Sequence, residues 1–97
     1  MDFEINFTPE AEETYDAVID QLRQRWGEHF VTKFENRVSS SLNTISKNPY
    51  TYPITDQHTE LRKCILHKNC SLLYKVFDRV VLVVCFWDNR QDPLIAF

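Results

Sequence analysis

The chain has 97 residues, 43% of them hydrophobic and 13% aromatic, and its formal net charge is −3. This length predicts one domain over residues 1–97, and the apolar content argues against a disordered chain. The acidic balance argues against a dominant, sequence-independent grip on nucleic acid, which needs clustered positive charge. Because the sequence has neither a long apolar run nor a basic leader segment, we expect a cytoplasmic protein that does not enter membranes.

A strand and a helix are predicted at the start of the chain. Residues 2–7 alternate polar and apolar side chains, as half-buried strands do. Thr8 and Pro9 favour a helix start, because threonine caps helices and proline suits the first turn. Apolar spacing predicts a helix from about Pro9 to Trp26, and Gly27 suits its end in a left-handed conformation. The apolar stripe of this helix consists of Ala11, Tyr15, Val18, Ile19, Leu22 and Trp26.

A second helix is predicted from about Glu28 to Lys47. Asn48-Pro49 marks its end, because the residue before a proline avoids the helical conformation. The turn between the two helices is short, which predicts an antiparallel helical hairpin. The apolar stripe of the second helix consists of Phe30, Phe34, Val38, Leu42 and Ile45.

Three strand candidates follow a connection at residues 49–59 that contains two prolines. They span residues 61–67, 71–77 and 80–87, and the short links between them predict an antiparallel meander. We therefore predict an α+β fold of order β-α-α-β-β-β, in which the helical hairpin packs on one side of a curved antiparallel sheet.

The strand at residues 80–87 is apolar at every position, which is typical of a strand that is buried on both faces. The two helices can cover only one face of the sheet. The other face needs sheet curvature together with the C-terminal residues 94–97, or a partner protein. We favour a partner.

The cysteine and histidine patterns predict neither a metal site nor a cofactor. Cys64, Cys70 and Cys85 lie outside any CxxC spacing, so reduced thiols in a cytoplasmic protein are the favoured interpretation. The histidines lack the HxH and HExxH spacings that zinc sites use. We expect no cofactor and no metal.

Four segments, in this order, carry a resemblance to a known family: "TPEA" at the start of the first helix, "ISKNPYTYPI" after the second, the strand pair "RKCILHKNCSLLYKVFD", and "WDNRQDP" after the last strand. Together with the chain length, they resemble the RelE/ParE toxin superfamily of bacterial type II toxin–antitoxin modules. The resemblance implies growth inhibition, plasmid stabilization and a cognate antitoxin that wraps the toxin as an extended or helical strip. It leaves a homodimer, or a heterotetramer with the antitoxin, open.

Two activities occur in this superfamily, and the resemblance favours the ParE-like one. RelE-like members cleave mRNA on the ribosome, whereas ParE-like members inhibit DNA gyrase without nuclease chemistry. Cleavage through a 2′-hydroxyl needs a base, an acid and cations around the phosphorane. The RelE-type set is incomplete, because Ser71 and Phe97 stand where the resemblance implies an arginine and a tyrosine. A ribosome-dependent endoribonuclease that uses Arg90, Lys63 and His67, or an inactive toxin-like binding protein, is the alternative.

The residues predicted to contact the target or the antitoxin are Arg90, Arg62, Lys63, Lys68 and Trp87. Structural interpretations stay open for them. Arg90 also suits an ion pair with a neighbouring aspartate, the lysines suit a solvated strand edge, and Trp87 suits core packing. His67 suits an exposed turn. Besides the antitoxin we expect DNA gyrase as the partner, with the ribosome or mRNA less favoured and no membrane partner.

Overall fold

Two helices pack on one face of a five-stranded sheet in the computed structural model, which describes residues 2–88. In chain order the elements are β1 (Glu4–Phe7), α1 (Pro9–Trp26), α2 (Glu28–Lys47), β2 (Ile54–Asp56), β3 (Leu61–His67), β4 (Cys70–Phe77) and β5 (Val80–Asp88). The strands lie in the order β1-β5-β4-β3-β2. The predicted α+β fold is confirmed, and both helices have the bounds that the sequence predicts.

The helical hairpin begins and turns where the local chemistry favours it. The Thr8 hydroxyl accepts a hydrogen bond from the Ala11 N–H at 3.0 Å, and Pro9 occupies the first turn of α1. Gly27 joins the helices with φ 91° and ψ 178°, and its N–H donates to two carbonyls in the last turn of α1. The positive φ agrees with the prediction. The ψ angle, however, lies in an extended region that only glycine adopts freely, rather than in the left-handed helical region.

The predicted antiparallel meander of β3, β4 and β5 is confirmed, and two further strand pairings add to it. β1 pairs in parallel with β5, from Glu4 opposite Val80 to Phe7 opposite Val83, so β5 lies between β1 and β4. β2 is a three-residue edge strand inside the predicted connection, and it pairs with the start of β3. So short and polar a strand has no periodicity to detect, and a parallel pair between the first and fifth strands leaves no local signal.

Beyond the end of β1, two threonine hydroxyl groups from the N-terminal part of α1 form hydrogen bonds with the backbone at the edge of β5. The pairing of β1 ends at Val83, and the register with β4 shifts there by one residue, as at a β-bulge. The Thr8 hydroxyl donates to the Val84 carbonyl at 2.7 Å, and the Phe86 N–H donates to the Thr14 hydroxyl at 2.9 Å. Two threonines therefore satisfy backbone groups for which the sheet supplies no partner.

The core lies between the helices and the sheet, and two predicted members are missing from it. The helices contribute Ala11, Ile19, Val31, Phe34, Val38 and Ile45, and the sheet contributes Cys64, Leu66, Cys70, Leu72, Tyr74, Val81, Val83 and Phe86. The side chains of Trp26 and Phe30 are instead 60% and 44% exposed. They flank Gly27 at the junction of the helices. The inward residues of both stripes are thus confirmed as core, whereas the residues at the junction are surface.

The outer face of the sheet, turned away from the helices, is buried at its centre and exposed at its margins. Ser71, Leu73 and Cys85 are at most 8% exposed, while Ile65 and Phe77 are 64% and 51% exposed. The centre of β5 is therefore buried on both faces, as its composition predicts. The large apolar side chains that remain exposed on the outer face, Ile65 and Phe77, lie at its margins.

Candidate functional site

A groove lies between the C-terminal half of α1, the N-terminal half of α2 and the β3–β4 turn, with a volume of about 650 Å³. We call it the basic groove. Its main apolar lining consists of Val18, Leu22, Trp26, Phe30, Phe34, Leu66 and Cys70, and its cations are Arg25, Lys33, Arg37 and Lys68.

The floor of the basic groove belongs to the core, and its rim carries two exposed aromatic rings. Phe34, Leu66 and Cys70 are each at most 8% exposed. The ring centroids of Trp26 and Phe30 lie 5.7 Å apart at the rim. The groove thus offers a continuous apolar surface that runs from the core to solvent.

The charges on the basic groove are mostly uncompensated. Arg25, Lys33 and Arg37 form no ion pair within residues 2–88. Arg23, two residues before Arg25 on α1, instead forms ion pairs with Asp20 at 3.5 Å and with Glu28. In the part of the chain that the structure describes, the carboxylate that lines the groove is that of Asp88. Although the whole chain has a net charge of −3, this surface is therefore positive.

Arg62, a predicted contact residue, is held in the structure by the α2–β2 connection. Its Nη1 donates to the Tyr52 carbonyl at 2.7 Å, and its guanidinium carbon lies 5.1 Å from the ring centroid of Tyr50. Stacking and carbonyl bonds together fix the guanidinium beside the start of β3. Lys63, the next residue, points to the outer face, where it lies opposite Leu73. Adjacent strand residues face opposite ways, so Arg62 and Lys63 do not share a surface.

His67 and Lys68 lie at the β3–β4 turn, and both line the basic groove. The His67 Nδ1 accepts a hydrogen bond from the Asn69 N–H at 3.2 Å, and the side chain is exposed, as predicted for a turn histidine. Lys68 is six residues from Arg62, which corresponds to about 20 Å along a strand. The predicted basic residues of this segment therefore fall on three separate surfaces.

Ser71 and Trp87 lie opposite each other on the outer face of the sheet. Ser71 is fully buried, with 0% exposure, and Trp87 is half-buried. The half-burial of Trp87 suits both of its proposed roles, packing and contact. Arg90 and Phe97 lie outside the described residues.

The cysteines have the properties of structural residues. Cys64, Cys70 and Cys85 are buried and free. Burial, with a smaller contribution from Asp88, raises the pKa of the Cys70 thiol to about 12, and burial raises that of Cys85 to about 11. A thiol that stays protonated is a poor nucleophile. Within residues 2–88 no group of three or more His, Cys, Asp or Glu side chains is arranged to hold a metal ion.

The residues that sequence reasoning missed are the groove residues on the helices. Lys33 and Arg37 are spaced by one helical turn, which was a detectable signal of a shared face. Trp26 and Phe30 were assigned to the core because they continue the apolar stripes. Trp26 is the last residue of the first stripe and Phe30 is the first residue of the second, on either side of Gly27. At these ends of the stripes, burial by the sheet is least assured.

The comparisons with known proteins agree with this fold. The profile of the family described as the ParE toxin of the type II toxin–antitoxin system, parDE, matches residues 5–93. No curated protein is significantly similar to the chain. Neither described helix is long and apolar enough to cross a membrane.

Several solved structures share the fold at low sequence identity. The chromosomal ParDE system from P. aeruginosa has a TM-score of 0.74 at 12% identity and covers 89% of this chain and 95% of that one. The DinJ–YafQ toxin–antitoxin complex of E. coli has a TM-score of 0.63 at 10% identity and covers 93% and 96%. The YoeB dimer from Staphylococcus aureus has a TM-score of 0.61 at 18% identity and covers 88% and 94%. With the family match spanning nearly the whole sequence, the chain belongs to the ParE toxin family of type II toxin–antitoxin systems.

Proposed function

We propose that this chain inhibits growth by binding a macromolecular target in the cytoplasm, DNA gyrase, and that it does not cleave RNA. The ParE family match supports a toxin. The dispersal of the residues that RNA cleavage would use supports a binding mechanism. A cognate antitoxin neutralises the toxin.

The single observation that carries this proposal is the state of the predicted cleavage residues. Cleavage needs a base, an acid and cations around one phosphate. Arg62 is committed to the Tyr52 carbonyl and the Tyr50 ring, and Ser71, with 0% exposure, supplies no cation. Lys63 and His67 are four residues apart on β3, which corresponds to about 13 Å. Among the described residues, therefore, the predicted cleavage residues do not converge on one point.

The first experiment identifies the target in arrested cells. The chain is expressed from an inducible promoter without an antitoxin, and both DNA damage signalling and mRNA integrity are followed. We expect growth arrest with SOS induction and intact mRNA. Arrest with mRNA cut at ribosomal A sites would instead establish the endoribonuclease, and the absence of arrest would establish an inactive, toxin-like binding protein.

The second experiment tests the proposed mechanism with purified components. The toxin is added to DNA gyrase, ATP and relaxed plasmid, and supercoiling is followed on agarose gels. We expect wild type to inhibit supercoiling. The variant His67→Gln, which removes one of the groups that a ribonuclease would use, should inhibit supercoiling within about twofold of wild type. Loss of growth arrest in that variant, with gyrase unaffected by wild type, contradicts the proposal.

The antitoxin partner is proposed from the relatives. The P. aeruginosa structure is a ParDE toxin–antitoxin system, and the E. coli structure is a toxin–antitoxin complex. Co-expression of the cognate antitoxin should restore growth and yield a complex that co-purifies. Size-exclusion chromatography with light scattering then distinguishes a homodimer from a heterotetramer with the antitoxin. Continued arrest despite a soluble, well-expressed antitoxin contradicts this part of the proposal.

A further inference from the structure

We infer that this chain associates with copies of itself head to tail: an exposed aromatic corner of the helical hairpin on one copy inserts into an apolar cleft with an acidic rim on the next. The corner, which we call the helical corner, consists of Trp26, Gly27 and Phe30 with the flanking cations Arg25 and Lys33. The inference goes beyond the proposed function and does not depend on which target the chain binds. Three observations carry it: an open apolar cleft, carboxylates on its rim, and a corner of matching chemistry and opposite charge.

A cleft of about 410 Å³ lies between the first half of α1, the second half of α2 and the sheet. We call it the acidic cleft, and its lining consists of Phe7, Ala11, Glu12, Tyr15, Asp16, Val38, Leu42 and Phe86. Ala11, Val38 and Phe86 form a floor that is at most 7% exposed, whereas the Phe7 side chain is 45% exposed. The ring centroids of Tyr15 and Phe86 lie 5.1 Å apart. The described side chains thus leave an apolar space of a size that holds a small ligand or one large side chain.

The rim of the acidic cleft is negative. Glu12 and Asp16, one helical turn apart on α1, line it and form no ion pair within residues 2–88, and no described cation lines it. Burial, with contributions from Glu35 and Asp16, raises the pKa of the Tyr15 hydroxyl, which agrees with a negative potential at this position. The helix dipole accounts for Glu12 in the first turn of α1, but its effect falls off before Asp16. The unpaired carboxylates therefore favour an occupant that carries positive charge.

The helical corner presents an apolar surface with positive flanks. The Trp26 and Phe30 side chains are 60% and 44% exposed, and their ring centroids lie 5.7 Å apart. Arg25 and Lys33 form no ion pair among the described residues, and Lys33 Nζ lies 5.8 Å from the Phe30 ring centroid. Tryptophan and arginine are among the residues that most often dominate the energy of protein interfaces. The helical corner thus combines an apolar anchor with the charge that the acidic cleft lacks.

The helical corner and the acidic cleft that it enters must belong to different copies. Asp16 and Trp26 lie on one helix, about 15 Å apart along its axis, so the corner cannot reach the cleft of its own chain. In the cleft of another copy, the Trp26 ring would leave water and pack on the apolar floor. Arg25 and Lys33 would then meet the carboxylates of the rim. Because corner and cleft are different surfaces, the contact is heterologous, and its repetition forms a ring or an open chain of copies.

The net charge of the chain opposes this association only weakly. With a formal charge of −3, two copies repel each other at long range. At physiological salt this repulsion is screened beyond about 8 Å, whereas partly buried charges in contact are screened much less. The local match between the helical corner and the acidic cleft therefore decides whether copies associate.

Sedimentation equilibrium of the purified full chain, over a range of concentrations, tests the association. We expect wild type to associate as its concentration rises. Trp26→Ala should weaken association by at least about 30-fold, as for an interface hot spot, and Asp16→Lys by at least about tenfold, because it brings like charges together. The matched controls are Phe77→Ala, which removes a ring that is 51% exposed on the outer face of the sheet, and Glu13→Lys, at an exposed position of α1 outside the acidic cleft. Both controls should associate like wild type.

Mixing the two interface variants separates a lost contact from a lost fold. Trp26→Ala keeps an intact acidic cleft and Asp16→Lys keeps an intact helical corner, so an equimolar mixture can form one complete contact. We expect 1:1 pairs in the mixture at concentrations at which each variant alone stays a monomer. Far-UV circular dichroism shows whether both variants keep the fold.

Several results would overturn the inference. One is wild type that stays a monomer up to its solubility limit, another is a mixture of folded variants that stays monomeric, and a third is a control variant that weakens association as strongly as the interface variants do. A fourth comes from hydrogen exchange: if an unrelated lysine-rich peptide protects residues 11–16 and 38–42 while a second copy does not, the occupant is a basic segment of another protein. None of these results concerns growth arrest or gyrase inhibition, so the proposed function is tested separately.

Discussion

Replacing Tyr74 by phenylalanine should destabilise the protein, because it leaves one buried carbonyl group without its hydrogen-bond donor. The Tyr74 hydroxyl donates to the Pro49 carbonyl at 2.6 Å, and both residues are fully buried. This bond joins the middle of the sheet to the segment that follows α2. Burial also raises the pKa of Tyr74 well above its usual value near 10, so at neutral pH the hydroxyl remains a donor.

The expected loss follows from what the substitution leaves behind. Phenylalanine keeps the ring and its packing, but the Pro49 carbonyl loses its donor in a place that water does not reach. An unsatisfied buried acceptor costs about 1–3 kcal/mol. We therefore expect Tyr74→Phe to lower the free energy of unfolding by about 2 kcal/mol, and the Tm by roughly 8–16 °C for a domain of this size.

Urea unfolding followed by circular dichroism measures this loss. The matched control is Tyr50→Phe, because Tyr50 is 57% exposed and keeps its ring contacts with Phe3 and Arg62 when only the hydroxyl is removed. The control should change stability by less than about 0.5 kcal/mol. Equal effects of the two substitutions, or a changed m-value in Tyr74→Phe, would refute the reasoning.

Three further predictions concern stability. Gly27→Ala should cost about 1–3 kcal/mol in urea unfolding, although a Cβ at this position meets no atom within 4 Å, because its φ of 91° with ψ of 178° strains any other residue; no measurable loss contradicts this. Thr14→Val should cost about 1–3 kcal/mol by unpairing a strand N–H, whereas the exposed Thr44→Val should be near neutral, and a similar cost for both counts against the edge contact. Burial raises the pKa values of Cys70 and Cys85 to about 12 and 11, so their contribution to stability is complete below pH 9 and is lost as the pH rises towards 11–12. The double variant Cys70→Ala/Cys85→Ala should therefore lose less stability above pH 9 than wild type does. An unchanged dependence of the unfolding free energy on pH contradicts this.

The helices and the fold class could be predicted because their signals are local. Thr8-Pro9, Gly27 and Asn48-Pro49 act on the backbone within one or two residues, and each marks a helix boundary that the structure confirms. The order of the strands could not be predicted in the same way. The parallel pair of β1 and β5 depends on which apolar faces meet after the chain has folded, and nothing near Glu4 indicates its partner Val80.

The candidate site shows the same division between local and distant information. Strand alternation alone places Arg62 and Lys63 on opposite faces of the sheet, although the two residues were interpreted as part of one basic set. The grouping of Lys33 with Lys68 could not be predicted, because it depends on how α2 lies against the β3–β4 turn. The exposure of Trp26 likewise depends on where the sheet ends beneath α1.

The central position of β5 has a consequence for how the protein is made. β5 joins β1 to β4, yet it is the last of the described elements to leave the ribosome. Until residues 80–88 have left the ribosome, β1 and the β3–β4 hairpin have no strand between them. The sheet therefore cannot form as a whole. Products truncated before Val80 should therefore be unfolded and harmless. Toxicity then begins only after residues 80–88 have left the ribosome and entered the sheet.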